Sequence, residues 1–165
     1  MNKIRFAEGL KVLPVLAPQD IAATGTNTSY VDLDLLNWAT WVVQFGNMTS
    51  DSTDTVTVTV EVSSDGASSG DVTIAYTYRL SSAVDTDSMG AITAATSDGA
   101  AIVNATLDNK LVVIDVDPAA MVSSGTPYDW RWARLVLTPL GPITNVGVVF
   151  YGEPRYPGNS IPSST

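Results

Sequence analysis

Carboxylates are the most abundant reactive side chains in this chain of 165 residues, which has 17 Asp and Glu but neither His nor Cys. Without His and Cys, Ser-His-Asp triads, thiol nucleophiles, disulfides and the usual zinc sites are excluded. The closest carboxylate pairs, Asp32/Asp34, Asp85/Asp87 and Asp115/Asp117, each belong to one strand or turn. Glycoside hydrolysis needs two carboxyl groups facing each other across a cleft, about 5–9.5 Å apart. Pairs on one strand do not give this arrangement, so we predict that the chain is not an enzyme and has no catalytic residues.

Two loops could supply ligands for a metal ion. Residues 51–54 and 63–66 are rich in Asp and Ser, whose hard oxygen atoms suit calcium. The EF-hand spacing and both glycine-rich phosphate-binding motifs are absent from the sequence. Asp and Ser are also ordinary turn residues. We therefore predict no cofactor and no metal site, and a structural calcium ion in one of these loops stays an open alternative.

The four Trp residues form two close pairs, Trp38/Trp41 and Trp130/Trp132. The second pair belongs to the predicted strand 130–138, one face of which carries Trp130, Trp132 and Arg134, and Tyr128 continues this row just before the strand. The opposite face is also largely apolar, and a strand that is apolar on both faces is usually covered on both. We interpret the Tyr128–Arg134 face as an interface with another subunit. Packing of all four Trp in the core and a sugar-stacking platform remain alternatives.

Apolar residues recur at every second position, which is the period of half-buried β-strands. The most regular examples are Thr55–Val62 and Val72–Leu80, which a Gly/Ser-rich turn joins into a predicted hairpin. Only Asp117–Val122 is typical of a helix, with Asp117 as N-cap and Pro118 at the first helical position. Short strands separated by Gly, Pro, Asn and Asp predict an all-β protein, an antiparallel β-sandwich of jelly-roll type. The nine predicted strands are 10–16, 29–36, 39–45, 55–62, 72–80, 101–106, 110–116, 130–138 and 145–151.

The two ends differ in composition from the middle. We predict an N-terminal arm over residues 1–20, a β-sandwich domain over 21–151 and a tail rich in Pro and Gly over 152–165. The arm does not have the pattern of a signal peptide. Residues expected to anchor the two ends on a partner are Phe6, Leu10 and Val12 in the arm and Arg155, Tyr156 and Pro157 in the tail. Packing of both ends on the chain's own body is the alternative.

The charge balance limits the partners. The net charge is −9 and the isoelectric point is near 4.1. Binding to a phosphate backbone needs clustered Lys and Arg, so nucleic acid is not an expected partner. No stretch reaches the roughly 20 apolar residues that cross a bilayer as a helix, so a membrane is not expected either.

Several segments give the chain a familiar pattern, which extends from about Leu13 to Ser164. They are APQDIAATGTNTSYVDL (17–33), MTSDSTDTVTVTVEVSSD (48–65), YRLSSAVDTDSMGAIT (78–93), WARLVLTP (132–139) and VVFYGEPRYPGNSIPSS (148–164). The sequence resembles small tailed-bacteriophage proteins encoded near the major capsid protein, among them cement and decoration proteins of jelly-roll type. The most telling match is Gly152–Pro157.

The resemblance implies a non-enzymatic structural protein of a phage head. Such a protein would be assembled in the host cytoplasm and would end on the capsid surface of the virion, where it binds and stabilises the shell of the major capsid protein. It would also bind copies of itself. A trimer is favoured by analogy with the local threefold positions of capsids, and a dimer is possible. The alternative is a carbohydrate- or receptor-binding β-sandwich module of a head fibre.

Overall fold

A computed structural model describes residues 9–22, 24–48, 54–121, 130–141 and 143–155. Twelve strands lie in these ranges, with one short α-helix and one 3-10 helix. The strands are β1 (Lys11–Ile21), β2 (Thr26–Asn27), β3 (Val31–Asp32), β4 (Leu36–Phe45), β5 (Thr55–Ser63), β6 (Val72–Ile74), β7 (Tyr76–Leu80), β8 (Thr93–Ala95), β9 (Ala100–Val103), β10 (Leu111–Val116), β11 (Trp132–Pro139) and β12 (Ile143–Pro154). Helix α1 spans Asn104–Leu107, and the 3-10 helix spans Pro118–Met121.

The strands form two antiparallel sheets. Each sheet has six strands. The sheet whose strands contain more residues, which we call the larger sheet, has the order β1-β12-β4-β10-β7-β8, and the other, the smaller sheet, has the order β2-β11-β5-β6, with β3 beside β11 and β9 beside β5. The first strand therefore pairs with the last, β2 and β3 pair with β11, β4 pairs with β10, and β5 pairs with β6 and β9. Successive pairs alternate between the two sheets. This is the jelly-roll topology, so the prediction of an all-β sandwich of this type is confirmed.

The core lies between the sheets, and the period-2 pattern determines which side chains enter it. On β5 the four Val residues at 56, 58, 60 and 62 are buried, while the alternating Thr residues and Glu61 are half-buried on the outside. On β11 the buried side chains are those of Ala133, Leu135 and Leu137. Trp41 and Phe150 lie opposite each other on neighbouring strands, with ring centroids 5.0 Å apart in an edge-on arrangement. This aromatic pair fills the part of the core below the larger sheet.

The predicted hairpin is correct at its start and wrong at its end. Val60, Glu61 and Val62 pair with Ile74, Thr73 and Val72 in the smaller sheet. At Ala75 the chain then crosses to the larger sheet, where β7 pairs with β10 rather than with β5. The alternation of apolar residues runs unbroken through Ala75, because Ile74 and Tyr76 both point inward. One strand in the pattern is therefore two strands in the fold.

Two other predicted strands differ from the structure, whereas the predicted helix is found. The predicted strand 29–36 contains β3 and only the first residue of β4, since the chain turns at Leu33, whose carbonyl accepts the N–H of Leu36 at 3.0 Å. The predicted strand 101–106 ends at Val103, where α1 begins. The predicted helix 117–122 is confirmed over Pro118–Met121, and Asp117 caps it by accepting the N–H of Ala119 at 2.9 Å.

The described part of the predicted N-terminal arm belongs to the sandwich. Lys11–Ile21 forms β1, which pairs with β12 from Lys11 opposite Gly152 to Ile21 opposite Ile143. Three register shifts, after Pro14, after Leu16 and after Gln19, interrupt the pairing of this edge strand, whose proline residues have no N–H to donate. The beginning of the predicted tail is also part of the body, because β12 continues to Pro154.

Candidate interaction surfaces

The outer face of the smaller sheet carries two of the predicted interface residues, Trp132 and Arg134. They alternate on β11 with the buried Ala133 and Leu135, so they point away from the core. The indole of Trp132 is half-buried under the β5–β6 loop, where a Cβ atom on Gly66 would lie 3.0 Å from the ring. The guanidinium carbon of Arg131 lies 5.7 Å from the centroid of the same ring. Trp132 is thus covered in large part by its own chain.

Arg134 lies at the centre of what we call the Arg134 cluster, which also contains Glu61, Asp71 and Tyr30. Its Nε donates to Glu61 Oε2 at 2.8 Å, and its Nη2 donates to Asp71 Oδ2 at 2.8 Å. The guanidinium carbon also lies 4.6 Å from the centroid of the Tyr30 ring, and only 13% of the Arg134 side chain is exposed. Tyr30 donates its hydroxyl hydrogen to Asp71 Oδ2. Burial, together with this hydrogen bond, raises the pKa of Tyr30.

The cluster explains why the outer row of β11 is half-buried without a partner chain. Its carboxylates come from β5 and from the residue before β6, and its aromatic ring comes from the segment between β2 and β3. Sequence inspection found Arg134 but missed Glu61, Asp71 and Tyr30. Only the register could have revealed Glu61, which is the cross-strand partner of Arg134.

A second ion pair joins Arg131 to Asp32, whose side chain is 3% exposed. Arg131 Nε donates to Asp32 Oδ1 at 2.9 Å, and the N–H of Asp34 donates to the same oxygen at 3.0 Å. Burial alone would raise the pKa of Asp32, but the hydrogen bonds from Arg131 and Asp34 and the charges of Arg131 and Lys11 outweigh it and hold the pKa below its usual value.

Trp130 and Arg155, which the sequence analysis assigned to different regions, meet in one polar pocket of about 430 Å³. Arg155 is held by its own chain. Its side-chain Nε donates to the carbonyl of Leu36 at 3.0 Å, and its backbone N–H donates to the carbonyl of Leu35 at 2.8 Å. The lining residues are Leu33, Asp34, Ser64, Pro118, Trp130, Arg131 and Arg155.

The outer face of the larger sheet has a different character. The register places Pro14, Val149, Val42 and Val113 side by side across four strands, and we call these residues the outer apolar row. Each alternates with buried neighbours along its strand, such as Val43 on β4. Pro14 is exposed and the three Val are half-buried. Apolar side chains on the outside of a sheet are typical of a surface that another protein covers.

The predicted interface residue Val12 lies on the same face, one row from Pro14 and opposite Tyr151. Its side chain is 40% exposed. Leu10, just before β1, is half-buried. Phe6, Tyr128, Tyr156 and Pro157 lie outside the described residues.

Trp38 and Trp41 point in opposite directions, since three positions along a strand reverse the face. Trp41 is fully buried, whereas Trp38 is 41% exposed on the outer face of the larger sheet. The indole N–H of Trp38 donates to Asp115 Oδ1 at 3.2 Å, and Thr40 Oγ1 donates to the same oxygen at 2.7 Å. The two indoles therefore do not form a joint platform.

An apolar cleft of about 570 Å³ lies beside Trp38, and we call it the Trp38 cleft. It lies where the chain crosses between the sheets at Ala75, and the end of β10 and the 3-10 helix close its other side. Its lining residues are Trp38, Ile74, Ala75, Tyr76, Thr77, Ala94, Ala95, Val116, Asp117 and Met121. No described residue in this lining carries a positive charge.

Three carboxylates of the predicted pairs are hydrogen-bonded to neighbouring groups of the chain. Asp115 binds Trp38 and Thr40, Asp117 caps the 3-10 helix, and Asp32 binds Arg131. In the loop 63–66, Asp65 Oδ1 accepts hydrogen bonds from Ser63 Oγ and from the N–H of Ala67, both at 2.9 Å, as in an ordinary turn. Within the described ranges, no group of three or more acidic residues is placed to hold a metal ion.

Comparison of the chain with protein-family models, with curated proteins and with solved structures returned no match. Among the described residues, no helix has the length and apolar character required to span a membrane.

Proposed function

We propose that this chain is a non-catalytic structural protein of a tailed-phage head, which binds the outside of the major capsid protein shell and stabilises it. The observation that carries the proposal is the outer apolar row, Pro14, Val42, Val113 and Val149, on a sheet face that has no second layer among the described residues. Protein interfaces commonly have an apolar centre inside a polar rim, and this row is suited to form such a centre.

Two further features support the proposal. The resemblance to cement and decoration proteins includes β11 and β12, which form one strand of each sheet. The jelly roll is common in capsid proteins, although the same fold also serves lectins, so the fold alone does not decide between binding functions. The ion pairs of Arg131 and Arg134 lie within the chain, which leaves the larger sheet as the better candidate for the docking face.

The proposal is tested by measuring how well variants of this chain bind to phage heads that were assembled without it. Val42→Lys and Val149→Lys place a charge in the outer apolar row, and we expect the amount that co-sediments with heads to fall at least tenfold. Thr138→Lys is the matched control, because Thr138 is exposed on β11 of the smaller sheet. It should bind as the unchanged chain does.

The same heads test the stabilising role. Heads carrying the unchanged chain should release their DNA at a higher temperature than bare heads. Equal release temperatures would contradict a cementing function. Equal binding by Val42→Lys and the unchanged chain, with both folded by circular dichroism, would instead refute the assignment of the larger sheet as the docking face.

The carbohydrate-binding alternative depends on exposed indoles. Trp41 is fully buried, and Trp132 is covered by the loop at Gly66. Only Trp38 has a well-exposed ring among the two pairs, and its cleft is the place where a sugar would have to bind.

A further inference from the structure

The Trp38 cleft combines three features of a binding site. Its walls are apolar, with Ile74, Val116 and Met121 among them. Its volume of about 570 Å³ falls within the range of sites that bind small ligands or single side chains. The indole of Trp38 at its rim is 41% exposed, and the hydrogen bond to Asp115 fixes the orientation of the ring.

Two carboxylates lie at this end of the cleft: Asp117 is part of its lining, and Asp115 accepts the indole N–H of Trp38. Both hydrogen bonds that described residues donate to Asp115 end on Oδ1, so Oδ2 keeps its acceptor capacity. Asp117, which lines the cleft, uses Oδ1 to cap the 3-10 helix and likewise keeps Oδ2. Two carboxylates beside an aromatic face form a negative site, in a chain whose net charge is already −9. A ligand with positive charge matches this site, whereas an anion is repelled.

We propose that the Trp38 cleft binds one basic side chain, arginine or lysine, of a partner protein. The cationic head lies over the indole, near Asp117 in the lining and Asp115 beside the ring, and the methylene stem packs on the apolar wall. Under the proposed function, on which this inference rests, the partner is the shell protein. Trp38 lies four positions before Val42 on β4, so the cleft adjoins the outer apolar row on the same sheet.

The first test uses the whole chain, labelled with nitrogen-15, and small probes. The probes are N-acetyl-arginine amide, its neutral isostere N-acetyl-citrulline amide, and methyl β-glucopyranoside. The indole N–H signal of Trp38, assigned from its loss in Trp38→Phe, reports on binding. We expect the arginine probe to bind in the millimolar range and at least fivefold more tightly than the citrulline probe, with weaker binding at high salt because the contact is electrostatic.

Two variants separate charge from packing. Asp117→Asn removes the charge but keeps the cap, because Asn and Asp are equally good N-caps. This variant should bind the arginine probe at least threefold more weakly than the unchanged chain does. Leu140→Ala is the control, since Leu140 is 69% exposed in the turn between β11 and β12 and does not line the cleft. It should bind the probe unchanged.

Each other outcome overturns the inference. Equal affinity for arginine and citrulline probes would remove the role of charge. A shift with the glucoside alone would make the cleft a sugar site. Absence of any shift at Trp38 would show that the cleft does not bind these groups.

Binding to heads distinguishes this inference from the proposed function. If Trp38→Ala and Asp117→Asn reduce co-sedimentation while Leu140→Ala does not, both stand. If Val42→Lys abolishes binding to heads but Trp38→Ala and Asp117→Asn have no effect, the proposed function stands and this inference fails. If the unchanged chain does not bind heads, the proposed function fails, and the probe titration alone decides the chemistry of the cleft.

Discussion

Arg134 and Asp71, 63 positions apart in the chain, are joined by a hydrogen bond of 2.8 Å from Nη2 to Oδ2, with side chains that are 13% and 10% exposed. The bond ties β11 to the residue that precedes β6, across the intervening strand β5. Glu61 on β5 binds the same guanidinium. The Arg134 cluster therefore holds three adjacent segments of the smaller sheet together.

Replacing Arg134 with Met should destabilise the chain by about 3 kcal/mol, because two largely buried carboxylates lose their only described cation. The measurement is urea denaturation at pH 7. Adding Asp71→Asn to Arg134→Met should cost less than the sum of the two single changes, since the carboxylate is already unpaired. Additive losses would show that the two residues are not coupled.

Asp32 should make folding stability sensitive to acid. Its folded-state pKa lies below the value of about 3.9 in unfolded chains, so the stabilisation is complete above that value and is lost as the pH falls through the folded-state pKa. Asp32→Asn should be about 1 kcal/mol less stable at pH 7, because the bond from Arg131 loses its charge. Thermal unfolding from pH 7 to pH 2 should show the difference shrinking below about pH 4. A constant difference over this range would exclude a contribution from ionised Asp32.

The opposite orientations of Trp38 and Trp41 predict unequal costs of truncation. Trp41→Ala should lose about 3–5 kcal/mol of stability, because it opens a cavity beside Phe150. Trp38→Ala should lose about 1 kcal/mol or less, as for other exposed positions. Trp41→Phe should lie between them, since the indole N–H of Trp41 is buried with no hydrogen-bond partner among the described residues, and its removal offsets some of the lost volume. Chemical denaturation of the three variants checks the order, and a reversed order would mean that β4 presents its other face to the core.

Two glycines allow the cost of a close contact to be measured separately from backbone strain. Gly70 and Gly99 have nearly the same φ, +89° and +88°. A Cβ atom at Gly70 would meet nothing within 4 Å, whereas one at Gly99 would lie 2.4 Å from the carbonyl oxygen of Val58. Gly70→Ala should cost about 1 kcal/mol for the backbone alone. Gly99→Ala should cost about 1–3 kcal/mol more, for displacement of β5. Equal melting temperatures for the two variants would contradict the close approach at Gly99.

The regular strands could be predicted because alternation alone identifies a half-buried strand. The predicted segments 55–62 and 110–116 match β5 and β10 within one residue at each end. The crossing at Ala75 could not be predicted in the same way. Its neighbours Ile74 and Tyr76 keep the alternation while their backbones pair with different sheets. The side-chain pattern therefore does not show where the chain passes from one sheet to the other.

The N-terminal boundary was misplaced for a related reason. Pro14 and Pro18 in β1 are typical of irregular structure, but an edge strand has N–H groups that need no partner and therefore tolerates proline. Among the interface candidates, the sequence identified Trp132 and Arg134 as outward-facing residues. It could not show that Tyr30 and Asp71, distant in sequence, already occupy that surface.

The pairing of β1 with β12 also has a consequence for how the chain folds. During synthesis β1 is made early, whereas its hydrogen-bonding partner β12 is the last of the described strands to emerge. Until β12 arrives, the apolar side of β1 and the facing edge of β4 have no protein cover, because β12 lies between them. Folding dominated by contacts so distant in sequence is slow, and exposed strand edges invite aggregation. High yields of native protein should therefore depend on slow translation or low temperature more than on the stability of the finished sandwich.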